Sequence, residues 1–165
     1  MPFFKRIFGG YKEKVDLTIP GDLGVDEQTR EHMKKLYDQR KGQPTVKIAR
    51  DLVVDDNDIN RDILTRYLKR IGVEYDIARN GIDAIDLALQ HEYDIIWMDV
   101  KMPICNGFEA TAFLRKCGYK GNICGTTGFA DEKSLNTAYA SGMTWIITKP
   151  FTPESIGKIH KTLHN

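Results

Sequence analysis

Five polar residues stand where short apolar runs stop. Asp55 and Asp56 follow "LVV", Asp99 follows "DIIWM", Thr127 follows "NICGT" and Lys149 follows "WIIT". Three carboxylates, a hydroxyl and an ammonium are suited to handling a phosphoryl group, provided the chain brings them together. Clustered carboxylates repel: at an effective dielectric near 20 and a separation of about 5 Å, each pair costs roughly 3 kcal/mol. A fold tolerates this only with counter-charge. Lys149 is one source. A hard divalent cation is a second, and Mg²⁺ suits a few carboxylates together with waters and phosphate oxygens. A carboxylate is a competent nucleophile toward phosphorus. The set therefore fits phosphoryl transfer to Asp99, with Lys149 and the cation neutralising the equatorial oxygens and Thr127 donating a hydrogen bond to one of them. Taken singly, each residue has a plainer reading as a turn or a helix cap; four strand ends carrying the set together argue against coincidence.

Positioning falls to the elements between them. From residue 46 the chain alternates strand and helix. "LVVDD" precedes "DINRDILTRYLKRIG", where Ile59, Ile63, Tyr67 and Ile71 recur every four residues beside Leu64 and Leu68, and Gly72 closes the helix. "VEYDIA" alternates, and "NGIDAIDLALQHE" reads as a helix with Ile82, Ile85 and Leu89 inward. After "DIIWMD" come the helix "GFEATAFLRKCG", the weaker strand "GNICGTT", a helix capped by Asp131, the strand "WIITKP", and a last helix with Thr152 at its cap and Pro153 in its first turn. Five β/α units predict a doubly wound, five-stranded parallel sheet with helices on both faces. Ligands of such sheets bind beyond the carboxyl ends of the strands, where the winding reverses. A strand order of 2-1-3-4-5 makes Asp55, Asp56 and Asp99 neighbours.

Residues 1–45 differ in composition. "GG", "IPGDLG" and "KGQPT" are turn and linker signals, and one helix, "VDEQTREHMKKLYDQRK", is expected between them, capped by Asp26. The division is thus an N-terminal extension, 1–45, and a main domain, 46–165. Its helix has a narrow stripe of Met33, Leu36, Tyr37 and Arg40, suited to resting on the main domain or, alternatively, to a dimer or partner contact, so weak self-association is compatible with it. "KRIFGGYKEK" is basic with interleaved aromatics, read as a docked or loose tail with a weak membrane-surface or partner contact as the alternative.

The 165 residues carry a formal net charge of +1, so nothing global points to nucleic acid or a membrane surface. No apolar run reaches transmembrane length, and the N-terminus lacks a secretory h-region with a cleavage site. Cys105, Cys117 and Cys124 are odd in number and have no CxxC spacing, which predicts small apolar residues in a reducing, cytoplasmic setting. His160 and His164 have metal-ligand spacing, but near a chain end they are expected to face solvent.

Four stretches, in order and suitably spaced, carry a family resemblance: "LVVDDNDINR", "DIIWMDVKMPICNGFEA", "TTGFAD" and "GMTWIITKPF". Residues 50–164 resemble a receiver domain of two-component signalling, most like receivers of hybrid histidine kinases and phosphorelays. The resemblance implies a flavodoxin-like fold, acceptance by Asp99 of a phosphoryl group from phosphohistidine, and Mg²⁺ held by Asp55, Asp56, Asp99 and the backbone carbonyl of Lys101. It makes Thr127 the switch hydroxyl and Lys149 the ion-pair partner of the acyl phosphate. Partners would be a histidine kinase or a histidine phosphotransfer protein, and a downstream protein target.

The chain departs from the family pattern in places. Asp51 falls where the first strand is usually apolar, which predicts an irregular start to that strand. Asn106 replaces a common acidic residue, and Gly125 and Thr126 make the fourth strand less apolar. Ile146 stands where many receivers carry a switch aromatic, so phosphate relay through the loops around Asp99 is expected over a large rearrangement, with Phe129 and Lys101 flanking the phosphate and setting water access. Two other readings remain. An aspartyl-phosphate phosphatase would carry a second aspartate two residues after the nucleophile, where Lys101 stands. A degenerate receiver, acting only as a binding module, would lack some of the reacting residues. The chain ends within the last helix with no basic recognition helix, so output is expected through protein contacts and not nucleic acid.

Overall fold

The computed structural model describes residues 24–163. The basic aromatic stretch near the N-terminus and His164 lie outside the described residues. Helix α1, Glu27–Arg40, opens the described chain; Asp26 caps it by accepting a hydrogen bond from the Thr29 N–H. A two-residue strand β1, Val46–Lys47, precedes the main sheet. Then follow β2, Asp51–Val54; α2, Asp58–Arg70; β3, Tyr75–Ala78; α3, Gly81–Gln90; β4, His91–Glu92; β5, Ile95–Asp99; α4, Gly107–Lys116; β6, Asn122–Thr127; α5, Glu132–Ser141; β7, Trp145–Thr148; and α6, Pro153–Leu163.

The main sheet is parallel throughout, in the order β3-β2-β5-β6-β7. Counting only its own five strands, this is 2-1-3-4-5, as the alternating pattern predicts. Strand residues are apolar on both sides because both sides are covered. Leu52, Val54, Ile96 and Met98 belong to one buried cluster, with residues of α3, α4 and α5. Val53, Ile95, Trp97 and Cys124 belong to the other, with residues of α2 and α6.

Helix α1 lies against α3. Its Met33 is fully buried, and Met33 and Val25 join the core cluster of the α3–α4 face. The described part of the extension thus shares a core with the sheet. Cys105 and Cys124 are buried and Cys117 is half-buried, as small apolar residues would be.

Three local expectations are corrected, and the buried side of α2 is settled. The helix expected to run through Glu92 stops at Gln90, because His91 and Glu92 turn extended and pair in parallel with Val46 and Lys47. Strand β2 does not start irregularly: Asp51 is in register with both Tyr75 and Ile95 and is fully buried. Its carboxylate accepts a hydrogen bond from Trp97 Nε1 at 2.7 Å, and the same oxygen lies 2.9 Å from His160 Nε2. His160 therefore faces inward, not solvent. On α2 the buried side is Arg61, Leu64, Thr65 and Leu68, while Ile59, Ile63 and Ile71 are exposed.

Candidate functional site

The carboxyl ends of β2, β5, β6 and β7 lie side by side, with Val54 level with Met98, Asp99 with Thr126, and Thr127 with Thr148. Strand β2 leads outward to β3 on one side, and β5 leads to β6 on the other, so the winding reverses between β2 and β5. Asp55 follows β2 and Asp99 ends β5 at that point. Carboxylate oxygens of Asp55, Asp56 and Asp99 all lie within 4.8 Å of one another. Asp55 and Asp99 are buried and Asp56 is exposed.

Lys149 reaches this cluster from the residue after β7, where its own N–H donates to the Thr127 carbonyl. Its Nζ donates to Asp55 Oδ2 at 2.6 Å and to Asp99 Oδ1 at 3.0 Å. Burial works against the ammonium, but hydrogen bonds to Asp55 and Asp99 outweigh it and hold Lys149 above its ordinary pKa. Asp99 is also raised. Its burial is the main cause, Lys149 opposes it, and the neighbouring charge of Asp55 adds to it. Desolvation and like charge thus disfavour the ionised form of Asp99 despite the ion pair.

Asp55 is fixed on every side. Its Oδ1 accepts from the Asn57 N–H at 2.9 Å and from Asn60 Nδ2 at 3.2 Å, and its backbone carbonyl accepts from Arg61 Nη1 at 2.6 Å. Asn57 also caps α2, accepting from the N–H groups of Ile59 and Asn60. Asn57, Asn60 and Arg61 escaped sequence reasoning. A cap residue straight after two aspartates was a usable signal for Asn57; an arginine among apolar helix positions gave none.

Thr127 is buried, and its hydroxyl donates to the Phe129 carbonyl at 2.9 Å and accepts from the Phe129 N–H at 3.3 Å. It is thus at the site but turned into its own loop. Phe129 and Lys101 are exposed on the rim. Ile146 is half-buried on the α3–α4 side, and Trp145 packs in the opposite cluster, as strand alternation requires. Ile146 pairs with Gly125, and a Cβ at Gly125 would meet Met143 Sδ at 2.5 Å, so the glycine makes room for Met143.

The loop after Asp99 is tightly held. A Cβ on Gly107 would lie 2.2 Å from the Asp99 carbonyl oxygen, so only glycine lets α4 begin there. Asn106 caps α4, and Glu109 reciprocates by accepting from the Asn106 N–H at 2.8 Å. Ile104, a β-branched residue, has φ 71° and is 69% exposed. That backbone region costs such a residue of order 1–3 kcal/mol.

The family model for the response regulator receiver domain matches residues 52–161. Two-component response regulator 24 of Arabidopsis thaliana is 38% identical over 114 residues, covering 68% of this chain and 80% of that protein. The osmosensing histidine protein kinase SLN1 of Saccharomyces cerevisiae is 34% identical over 120 residues, covering 68% of this chain but only 10% of the kinase. Among solved structures, the receiver domain of sensor histidine kinase PA1611 from Pseudomonas aeruginosa, with a magnesium ion coordinated in its active-site cleft, is 25% identical with a TM-score of 0.64, covering 74% of this chain and 100% of that one. The receiver domain of Ssk1, in complex with the histidine phosphotransfer protein Ypd1 of Saccharomyces cerevisiae, is 26% identical with a TM-score of 0.60, covering 70% of this chain and 86% of that one.

Proposed function

The chain belongs to the response regulator receiver family of two-component signalling, and on that premise we propose that it is a phosphoacceptor in a His-Asp phosphorelay, with Asp99 as the residue phosphorylated. The observation that carries this reading is the bridge made by Lys149, whose Nζ bonds Asp55 and Asp99 at once from the end of a third strand. Such a bridge holds the nucleophile and supplies a fixed positive charge where a phosphoryl group would arrive.

In the reaction, an Asp99 carboxylate oxygen attacks the phosphorus of a phosphohistidine. A P–O bond forms, the P–N bond breaks, and the imidazole leaves with its electron pair. Lys149 stays on the carboxylate and meets the growing charge of the phosphoryl oxygens. The Thr127 hydroxyl exchanges its loop carbonyl for a phosphoryl oxygen. Asp55, Asp56 and Asp99 bring carboxylate oxygens within reach of one cation, an all-oxygen set that fits Mg²⁺, and the Lys101 backbone carbonyl is proposed as a further ligand. When bound, Mg²⁺ supplies charge neutralisation for the carboxylates and the phosphoryl oxygens.

The partner is a histidine kinase or a histidine phosphotransfer protein. An apolar rim supports this: Ile59, Ile104 and Phe129, each more than two-thirds exposed, come from the segments that follow β2, β5 and β6 at the site end of the sheet. A protein surface of that kind is suited to protein contact. Lys101 beside the rim, where a phosphatase of the haloacid dehalogenase type would need a carboxylic acid, argues against turnover on small phosphate esters.

The test is labelling with acetyl phosphate and Mg²⁺, followed by borohydride trapping and mass spectrometry. One phosphoryl group at Asp99 is expected. Labelling of Asp99→Ala equal to that of the parent would defeat the assignment.

A further inference from the structure

Arg61 is the only lysine or arginine that is buried among the described residues. Nothing in the phosphoryl-transfer chemistry above uses it. A guanidinium is buried only where its donors are satisfied, and the two acceptors that satisfy this one are informative. Nη1 donates to the backbone carbonyl of Asp55 at 2.6 Å. Nη2 donates to the carboxylate of Asp58, whose side chain is 89% exposed while that of Arg61 is only 7% exposed. Arg61 therefore spans the turn between β2 and α2, gripping it on both sides of Asp56.

Asp56 differs from its neighbours at the site. Asp55 is held by Asn57, Asn60 and Lys149, and Asp99 by Lys149. The carboxylate of Asp56 has no hydrogen-bond partner among the described residues and is exposed. With no side-chain partner holding it, the direction in which that side chain leaves the chain is set by its backbone. The Asp55 carbonyl belongs to the peptide group that joins Asp55 to Asp56, so anchoring that oxygen sets the plane from which Asp56 projects.

We infer that Arg61 is a positioning residue for the divalent-cation site: it presents Asp56 to the cation and so governs cation affinity, while leaving phosphoryl transfer at saturating cation nearly unchanged. The inference rests on the reading of the site as a cation-assisted phosphoacceptor. Groups one step behind the ligands typically change metal affinity about 10- to 100-fold when removed, because they cost the ligands their preorganisation.

The experiment is calorimetric titration with Mg²⁺ of the parent, Arg61→Gln, Arg61→Lys and Asp58→Asn, each checked by circular dichroism, alongside acetyl phosphate labelling rates across the same Mg²⁺ range. For Arg61→Gln, the half-saturating Mg²⁺ concentration is expected to rise about tenfold by both readouts, with the labelling rate at saturation close to that of the parent. Arg61→Lys keeps the charge but not the two-armed grip, and should fall between the two. Asp58→Asn weakens only the exposed arm, so it tests the same grip if Arg61→Gln does not fold, and a smaller rise is expected. Parent-like Mg²⁺ affinity in folded Arg61→Gln, or in Asp58→Asn should Arg61→Gln fail to fold, would overturn the inference. So would a lower saturated rate at unchanged affinity. Either result leaves the phosphoacceptor reading intact as long as the parent binds Mg²⁺ and labels at Asp99; a parent that does neither takes both readings with it.

Discussion

His160 Nε2 lies 2.9 Å from Asp51 Oδ2, joining the last helix to the first residue of β2 across 109 positions of sequence. Trp97 Nε1 donates to the same oxygen, and Oδ1 of Asp51 is buried without a partner among the described residues. The pair sits in the face packed by α2 and α6, at the opposite end of β2 from Asp55. Removing His160 leaves the buried Asp51 carboxylate with the Trp97 N–H as its remaining partner among the described residues. His160→Leu should therefore cost about 1–3 kcal/mol in denaturant unfolding. The double variant Asp51→Val with His160→Leu should recover only part of that loss, because it removes the under-partnered carboxylate but leaves Trp97 Nε1 without its acceptor. A double variant as unstable as the single one would show that the helix is held by packing alone.

Asp99 should respond to pH in a defined direction. Burial, with help from Asp55, raises its pKa in the folded state. The folded protein thus holds this proton more tightly than the unfolded chain. The stabilising contribution is fully present below the unfolded value, near 3.8, and is lost as pH rises through the raised folded value. At neutral pH without Mg²⁺, ionised Asp99 destabilises the fold. Asp99→Asn should raise the unfolding midpoint at pH 7 and flatten the acid end of the stability profile. An unchanged profile would mean that Lys149 offsets the burial fully.

Mg²⁺ should stabilise the native state, which alone gathers the three carboxylates. At a hundredfold excess over its dissociation constant the gain is about 2.7 kcal/mol. Asp56→Asn should raise stability without Mg²⁺ and abolish the Mg²⁺ effect. Thermal unfolding with and without the ion decides this, and indifference of the parent would remove the cation from the site.

Met33 tests the standing of the N-terminal helix. Its side chain is fully buried in the core cluster shared with α3 and α4. Met33→Ala should cost about 2–5 kcal/mol, the range for emptying a packed core position. A loss below about 0.5 kcal/mol, the range of surface substitutions, would mark α1 as a loosely resting appendage.

The sequence made the units legible where local rules suffice. Asp26 and Asp131 cap helices because a short polar side chain can reach the N–H groups two or three residues on, and that is visible locally. Asp55, Asp99, Thr127 and Lys149 were legible because each ends an apolar run. What escaped depended on distant partners. Asp51 looked like a flaw in a strand because Trp97 and His160 are far off in the chain. The pairing of Val46–Lys47 with His91–Glu92 leaves no periodic trace in two residues. On α2, both the stripe of Ile59, Ile63 and Ile71 and the stripe of Leu64 and Leu68 have helical spacing; the sheet takes the second, and periodicity alone cannot choose between them.

The last prediction concerns how phosphorylation is felt beyond the site. A phosphoryl group on Asp99 should draw the Thr127 hydroxyl away from the Phe129 carbonyl, its present partner. In many receivers an aromatic ring on the last strand then moves into the vacated space. Here that position is Ile146, half-buried beside Gly125 and Met143. It is branched at Cβ, stiff at χ1 and has no hydroxyl with which to change partners. Trp145 cannot substitute, because it packs on the opposite face of the sheet. The rearrangement should therefore stay near the phosphoryl group, in the loops that a phosphotransfer helix would touch. Amide chemical shifts with and without beryllofluoride, a mimic of the acyl phosphate, measure this directly. Large changes are expected at residues 55–60, 99–107 and 127–131. Equally large changes across residues 132–148 and α6 would refute the local picture and establish a long-range switch on that face.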